Sequence, residues 1–321
     1  MDPHAVKQAA SAALLEANYN PKKLALLHAG VVVLFSLVTS ALSYLLEMGV
    51  ASTGGLAGLG LRSALESAQL VLSLVGSILL PVWQMGFIYA AIRYSRRESV
   101  SAGTLLEGFR RFGPVFRLNI LLTLIAIGVL MASTYISTTI FMYSPLSDNM
   151  FASIEALLET TQADAITEEM LLQVLPHMGW MFAINFAVLL LIGLPMYYRY
   201  RMSEFALMAG ATGARTAMRE SILISRHRRM DMFKFDLSFW WYYALQLLLT
   251  LVAYADMILA FLGVTLPVSA DVLYWILLVA YAGLTLVFTR QYGAYYQTAY
   301  ARYYDLLKEN TLPPPQISNQ M

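Results

Sequence analysis

Long apolar segments without charged side chains constrain the fold of this chain more than any other feature. A helix needs roughly 20 apolar residues to cross a hydrocarbon core of about 30 Å, and it satisfies its own backbone polar groups there. Six windows reach or approach that length: residues 24–46, 68–92, 118–141, 178–198, 237–262 and 272–289. The first four contain no Lys, Arg, Asp or Glu. We therefore predict an all-α, polytopic transmembrane helical bundle with about six spans.

The composition agrees with a membrane protein. Hydrophobic residues make up 59% and charged residues 13% of the 321 residues, whereas about 25% of the residues of an ordinary soluble domain are charged. A net charge of +1 lacks the basic excess typical of nucleic-acid-binding proteins. The absence of cysteine excludes disulfides, thiolate metal sites and cysteine nucleophiles. We expect a single membrane domain over residues 1–310 and a short flexible C-terminal tail over 311–321.

The basic residues predict how the chain is threaded, because Lys and Arg near spans accumulate on the cytoplasmic side. With the N-terminus inside, the six windows put 20 of the 21 Lys and Arg residues in inner segments, and only Arg62 falls outside. An arrangement with five or seven spans breaks this alternation. We therefore expect a multi-pass protein of the plasma membrane with both termini in the cytoplasm.

A cluster of basic residues precedes the fifth window and comprises Arg226, Arg228, Arg229 and Lys234. The aromatic run 240–243 follows it, as expected where Trp and Tyr rings collect at a headgroup boundary. We interpret the cluster as a topology anchor that also attracts anionic lipid headgroups. A dedicated site for nucleic acid or a phosphorylated ligand is the weaker alternative, and we expect no nucleic-acid partner.

The segments between the windows predict shorter elements. Residues 143–177 hold six acidic residues and no Lys or Arg, and their apolar spacing predicts two short amphipathic helices with a solvated acidic face rather than a cation site. Residues 104–116 predict an interfacial amphipathic helix on the inner side. The glycine-rich residues 49–60 predict a flexible outer loop, and residues 5–17 predict a short N-terminal helix.

Two inner loops share a plan. Pro81 interrupts the second window and Glu107 follows it by 26 residues, while Pro195 interrupts the fourth and Glu220 follows it by 25. A parallel repeat of span, interfacial helix and span would explain this spacing. Coincidence explains it equally well.

The stretch AMRESILISRHRRMDMFKFDLSFWW, residues 217–241, resembles the signature of a known family. It is similar to that of a bacterial integral-membrane family catalogued as domain-of-unknown-function family 975, in which an Ala–x–x–Glu–Ser helix precedes a basic stretch and a Phe–x–Leu–Asp–Leu–Ser–Phe segment. The matching residues are Glu220, Ser221, Phe233, Asp236, Leu237, Ser238 and Phe239. Residues 6–26 and 295–307 are also similar to the ends of that family.

The chain departs from the family pattern at two places. Arg290, Gln291 and Tyr292 stand where a Pro–Tyr pair is expected, and the basic stretch lacks its usual Gly. The resemblance implies a polytopic bacterial membrane protein. It implies no substrate, reaction or catalytic residue.

Residues with catalytic or metal-binding chemistry form no motif in this sequence. Asp256, Arg290, Glu47 and His28 fall near the ends of the windows, where interfacial positions explain them. The uncharged polar residues inside the windows are expected to hydrogen-bond between helices; they are Gln84, Asn119, Asn185 and Gln246.

The sequence therefore predicts no cofactor and no enzymatic activity. We expect a non-enzymatic accessory, scaffold or lipid-interacting protein, whose partners are membrane lipids and another membrane protein. A transporter or channel for a small uncharged or lipid-like solute is the alternative.

Overall fold

The computed structural model describes residues 2–52, 56–160, 168–255, 258–259 and 269–311, and in these ranges all regular structure is helical. The helices are α1 (Pro3–Leu15), α2 (Pro21–Ser52), α3 (Leu56–Ser95), α4 (Glu107–Arg110), α5 (Phe112–Met142), α6 (Pro145–Thr160), α7 (Glu168–Tyr200), α8 (Ser203–Met208), α9 (Ala214–Ser225), α10 (Arg229–Leu237), α11 (Trp240–Ala253), α12 (Ala270–Phe288) and α13 (Ala294–Thr311). A 3₁₀-helix, Ala102–Leu106, precedes α4, and a π-helix, Thr289–Gly293, joins α12 to α13.

Long apolar helices cover five of the six predicted windows. The segments long and apolar enough to cross a membrane are Pro21–Leu46, Arg62–Ser95, Phe112–Met142, Gly179–Met208 and Val272–Thr311. The all-helical prediction is therefore confirmed for the described residues. Over the fifth window the described helix, α11, has only 14 residues, and residues 256–257 and 260–268 lie outside the described residues.

A break separates α11 from α10 within the fifth window. The Ser238 hydroxyl donates to the Phe235 carbonyl oxygen at 2.6 Å, and this local hydrogen bond competes with regular helix. The fifth window, residues 237–262, therefore begins at the last residue of the short helix α10 rather than within one continuous helix.

Two predicted connecting elements are wrong. The predicted loop over 49–60 is helical in its described residues, since α2 continues to Ser52 and α3 already begins at Leu56, while residues 53–55 lie outside the described residues. The predicted interfacial helix over 104–116 is divided into the 3₁₀-helix, α4 and the first turns of α5. In this arrangement α4 packs closely on α3, since a Cβ on Gly108 would lie 2.0 Å from the carbonyl oxygen of Val82.

The acidic segment 143–177 contains the first of its two predicted helices as α6, whereas the second forms the start of α7. Residues 161–167 between them lie outside the described residues. The N-terminal helix is confirmed as α1.

The described chain divides into two compact units, residues 119–201 and the remainder. In the unit of residues 119–201, the Asn185 amide donates to the Ser137 hydroxyl at 2.8 Å and so joins α7 to α5. This confirms the predicted interhelical hydrogen bond of Asn185, a class worth about 0.6 kcal/mol on average. Large apolar side chains point outward from both helices, as Met131 and Leu191 do, at 69% and 76% exposure.

The other unit has its buried core at one end of its long helices. There the start of α2, the end of α3 and the start of α13 pack together through Leu24, Phe87, Tyr94 and Ala294. Farther along α3, large apolar side chains such as Leu70 are exposed. The apolar core of this unit is therefore near the chain ends, and the middles of its helices turn apolar side chains outward.

Candidate functional site around the C-terminal helix

Helix α13 presents a continuous face of tyrosine. Its sequence, AYYQTAYARYYDLLKENT, places tyrosines three, four and eight residues apart, so they share one side of the helix. Four of them are buried: Tyr296, Tyr300, Tyr303 and Tyr304. This face is the centre of the candidate site.

An aromatic cluster covers the tyrosine face. Its members are Phe205, Phe235, Phe239, Tyr242, Tyr296, Tyr300, Tyr303 and Tyr304. Phe235 stacks on Tyr303 with ring centroids 4.2 Å apart, and Tyr242 stacks on Tyr296 at 4.1 Å. Aromatic pairs of this kind contribute about 0.5–1.5 kcal/mol beyond their buried area. The cluster therefore fixes α10 and α11 against α13.

Some residues that match the family signature are buried in the aromatic cluster or beside it, and others are exposed on its surface. Phe239 is fully buried against three tyrosines of α13, and Ser221 and Asp236 are also buried. Phe233 and Leu237 instead lie on the outer side of α10, with 38% and 58% exposure.

Glu220 takes part in a polar triad with α13. The Tyr304 hydroxyl donates to Oε1 of Glu220 at 2.5 Å. The Lys308 ammonium lies 2.7 Å from the same oxygen and donates to the Tyr304 hydroxyl at 3.3 Å. Hydrogen bonds to an ionised acceptor are stronger than neutral ones. The triad therefore ties α9 to the last turns of α13.

A second ion pair ties α13 to the end of α3. Arg96 donates to both carboxylate oxygens of Asp305, at 2.7 and 3.1 Å, and the Ser95 hydroxyl donates to the same carboxylate at 3.4 Å. The hydrogen bond to Asp305 raises the pKa of Arg96 further above its already high value. Arg96 therefore stays cationic throughout the physiological pH range.

The N-terminal helix closes the cluster from another side. The Lys7 ammonium donates to the Ser238 carbonyl oxygen at 2.5 Å and lies 4.0 Å above the centre of the Phe239 ring. Partial burial lowers the pKa of Lys7. After α1, the Asn18 side chain makes two hydrogen bonds with the backbone of Val100, at 2.9 and 3.0 Å.

The predicted basic cluster lies on the exposed surface of α10 and of the turn before it, outside the buried aromatic cluster. Arg226, Arg229 and Lys234 are exposed and form no ion pair with any described residue, and Arg228 is half-buried near Tyr303. Between α9 and α10 the backbone turns at His227, where φ is +64°. This left-handed turn lies within the run of basic side chains.

An apolar stripe beside these basic residues was not predicted from the sequence. We call Met230, Phe233, Leu237 and Trp240 the outward stripe; Met230 is 65% and Trp240 67% exposed. The first three share one face of α10, and Trp240 continues it at the start of α11. The spacing of three, four and three residues was a detectable signal, but it merged with the apolar run of the fifth window.

A separate cavity of about 410 Å³ lies between α2, α11 and α12. Hydroxyl-bearing side chains supply much of its wall: Ser36, Ser40, Thr250, Tyr254, Tyr274 and Tyr281. The Tyr274 hydroxyl donates to the Ser40 carbonyl oxygen at 3.4 Å. Such a lining can hydrogen-bond an uncharged polar molecule.

The remaining residues singled out in the sequence take different positions. His28 is buried in α2 and stacks on Phe87 at 4.5 Å, so it belongs to the core. Arg290 lies in the π-helix and is exposed. Asp256 lies outside the described residues. Over the part of the chain that the structure describes, His, Asp and Glu form no group that could hold a metal ion.

Comparisons with known proteins identify no relative of this chain. No family model matches the sequence, and no curated protein or solved structure is significantly similar to the chain. The resemblance to domain-of-unknown-function family 975 therefore stays a prediction.

Proposed function

We propose that this chain is a multi-pass integral protein of a bacterial cytoplasmic membrane, with six crossings and both termini in the cytoplasm. Five long apolar helices support the membrane assignment. Only 6% of the most apolar window in Gly179–Met208 is buried within the protein. Soluble monomers rarely expose apolar surface on that scale, whereas lipid chains solvate it.

The packing of the terminal helices supports an even number of crossings. Helix α1 packs against α13, so the two ends of the described chain lie on the same side. Five crossings would separate them. A sixth crossing that begins with α11 would return the chain to the side on which it began, as the contact between α1 and α13 requires. It also keeps nearly all basic residues on the inner side.

Within this topology we propose a non-enzymatic role as a lipid-interacting accessory or scaffold protein. The outward stripe and its neighbouring basic side chains carry this proposal. Exposed aromatic and aliphatic side chains with cations beside them suit the plane of a membrane interface, where apolar groups enter the acyl boundary and cations meet the headgroups. Attraction to an anionic surface adds about 1 kcal/mol for each nearby Lys or Arg.

The apolar faces of the long helices offer surface for a second membrane protein as well as for lipid. Membrane helices associate mainly through close packing and hydrogen bonds. We therefore include a protein partner within the bilayer in the proposed accessory role.

Lipid co-purification tests the proposed role. The full chain is extracted into micelles containing equal amounts of phosphatidylglycerol and phosphatidylcholine, and the retained lipids are counted. We expect the wild type to enrich phosphatidylglycerol. Replacement of Arg226, Arg229 and Lys234 by Gln should reduce the enrichment, and the reduction should shrink at high salt because the ions screen surface charge.

A charge-preserving variant is the matched control. Arg226→Lys, Arg229→Lys and Lys234→Arg retain the three positive charges and should retain the enrichment. Equal lipid composition in the wild type and the Gln variant at low salt would contradict the proposed role of α10.

The hydroxyl-lined cavity favours a second candidate, a transporter or channel for a small uncharged solute. Ser36 lies 15 residues after Pro21, the first residue of α2, or about 22 Å along a helix that rises 1.5 Å per residue. This places the cavity well inside the proposed bilayer. Its described lining carries no ionisable carboxylate or amine, so a proton- or sodium-coupled mechanism lacks support there.

Liposome flux measurements test the second candidate. Uptake of a small polyol would favour it if Ser40→Leu, which narrows the cavity, reduced the flux while Ser77→Leu on the exposed side of α3 did not. Wild-type liposomes no more permeable than protein-free liposomes would leave the lipid-interacting role as the better account.

A further inference from the structure

A groove with a volume of about 930 Å³ lies where the chain enters α2 and where α12 passes into α13. The end of α1 and residues 17–22 form one wall, and the π-helix with Tyr295 forms the other. Trp241 from α11 also lines it. The volume lies within the range of roughly 300–1,000 Å³ that is typical of small-molecule sites.

The π-helix shapes the second wall. A π-helix, with hydrogen bonds between residues five apart, is rare, occurs mostly as a single turn within α-helices, and is frequent at functional sites. Here it includes Arg290, Gln291 and Tyr292, all exposed and all lining the groove. Helix α2 packs against the π-helix, so the start of α2 and Arg290 belong to the same end of the long helices.

The charge in the groove is positive. Lys22 lines one wall and Arg290 the other. Both side chains are exposed, and neither forms an ion pair with a described residue. None of the described lining residues is Asp or Glu. The first turn of α2 also carries the positive end of the helix dipole, where a cation such as Lys22 is unfavourable without a nearby anion.

The rest of the lining is suited to an amphiphile rather than to a free anion. Trp241 and Tyr292 meet edge to face with centroids 4.9 Å apart, and such rings favour the headgroup boundary. Leu14 and Leu15 lie at the end of α1, and Leu15 is 87% exposed. A ligand with a phosphate at the cations and an acyl chain along the apolar residues would cover both kinds of surface.

We propose that this groove binds one anionic phospholipid, with its phosphate between Lys22 and Arg290 and its glycerol and first acyl carbons against Trp241, Tyr292 and Leu15. This proposal rests on the proposed lipid-interacting function and adds to it a site for one lipid molecule. The outward stripe meets the lipid surface in general, whereas the groove holds a single molecule.

Native mass spectrometry of the full chain, with phosphatidylglycerol titrated into detergent, tests the proposal. The wild type should retain one lipid more strongly than the others. Lys22→Gln with Arg290→Gln should weaken this first binding step roughly tenfold or more, a change expected from removing two cations near a phosphate. The control, Arg215→Gln with Arg219→Gln, removes the same charge from exposed positions of α9 that do not line the groove and should leave the first binding step unchanged.

Photo-cross-linking of the wild type requires no variant to fold. Phosphatidylglycerol with a diazirine near its headgroup should form adducts on residues 14–22 and 290–295. Adducts confined to other segments would overturn the proposal. Inorganic phosphate and glycerol 3-phosphate at millimolar concentration should not displace the lipid, and displacement by either would identify a free-anion site instead.

Different results would contradict the proposed lipid-interacting function and the proposed groove site. If the wild type binds phosphatidylglycerol no better than phosphatidylcholine, the proposed lipid-interacting function is wrong. If the preference exists but both double variants weaken it equally, only the groove is wrong.

Discussion

Tyr304 donates a hydrogen bond of 2.5 Å to Glu220, 84 residues earlier in the chain. The Tyr304 side chain is completely buried within the aromatic cluster, and Lys308 reaches the same Glu220 oxygen from one helical turn later. The C-terminal helix is thus tied to α9 by a charged acceptor at the edge of an aromatic core. We therefore assign Glu220 a structural role at this junction.

Loss of the Glu220 charge should destabilise the protein. Glu220→Gln weakens a charge-assisted hydrogen bond and an ion pair, and we expect a loss of about 1.5–3 kcal/mol in the free energy of unfolding. Thermal unfolding of the purified protein in detergent measures the change. If Tyr304→Phe and the double variant lose no more than Glu220→Gln alone, the two residues act as one unit; strictly additive losses would contradict the triad.

The Arg96–Asp305 pair should contribute more than a surface pair. Asp305→Asn removes the carboxylate that accepts two hydrogen bonds from Arg96, and we expect a loss of about 1–2 kcal/mol because the pair is only partly exposed. Arg97→Gln provides the control, since its partner Glu16 is 3.1 Å away but both side chains are more than half exposed. Its effect should stay within about 0.5 kcal/mol. Equal effects would show that burial does not distinguish the pairs.

A methyl group at Gly86 should disrupt the packing of α3 against the following 3₁₀-helix. A Cβ there would lie 1.8 Å from the Leu105 carbonyl oxygen, and the backbone itself must move to avoid it. We expect Gly86→Ala to destabilise the protein by at least about 1–3 kcal/mol. Gly30→Ala in α2 is the control, because no described atom outside the adjoining backbone of α2 lies within 4 Å of its Cβ. Helix propensity predicts that this control is neutral or stabilising by up to about 1 kcal/mol.

The sequence predicted the helices well because their signal is local. A charge-free window of about 20 residues excludes other structures in hydrocarbon, and five windows contain long helices. Asn185 also found a partner on another helix, as expected. The lengths of α2 and α3 were underestimated. The length of an apolar window indicates only the part that could cross the hydrocarbon core, whereas the α3 helix also includes charged residues such as Arg62 and Glu66.

The candidate site was predicted only in part because its contacts join distant segments. The signature residues identified the right region, but the partners of Glu220 lie on α13, and the family pattern does not supply them. The neighbouring sequence does not distinguish the buried Phe239 from the exposed Phe233. Which of the two is buried depends on packing against α13, which lies far away in the sequence. The departure at Arg290 was visible in the sequence, whereas the π-helix was not.

Cysteine labelling of the two terminal helices tests the proposed six crossings, because the native chain has no cysteine and each introduced thiol is therefore the only one that reacts. Ser11 in α1 and Glu309 in α13 are exposed positions, and Ser63, also exposed, lies on the opposite side in the proposed topology. In intact cells a membrane-impermeant thiol reagent should label Ser63→Cys alone, and the two terminal positions should react only after permeabilisation. Labelling of Glu309→Cys in intact cells while Ser11→Cys stays protected would contradict six crossings.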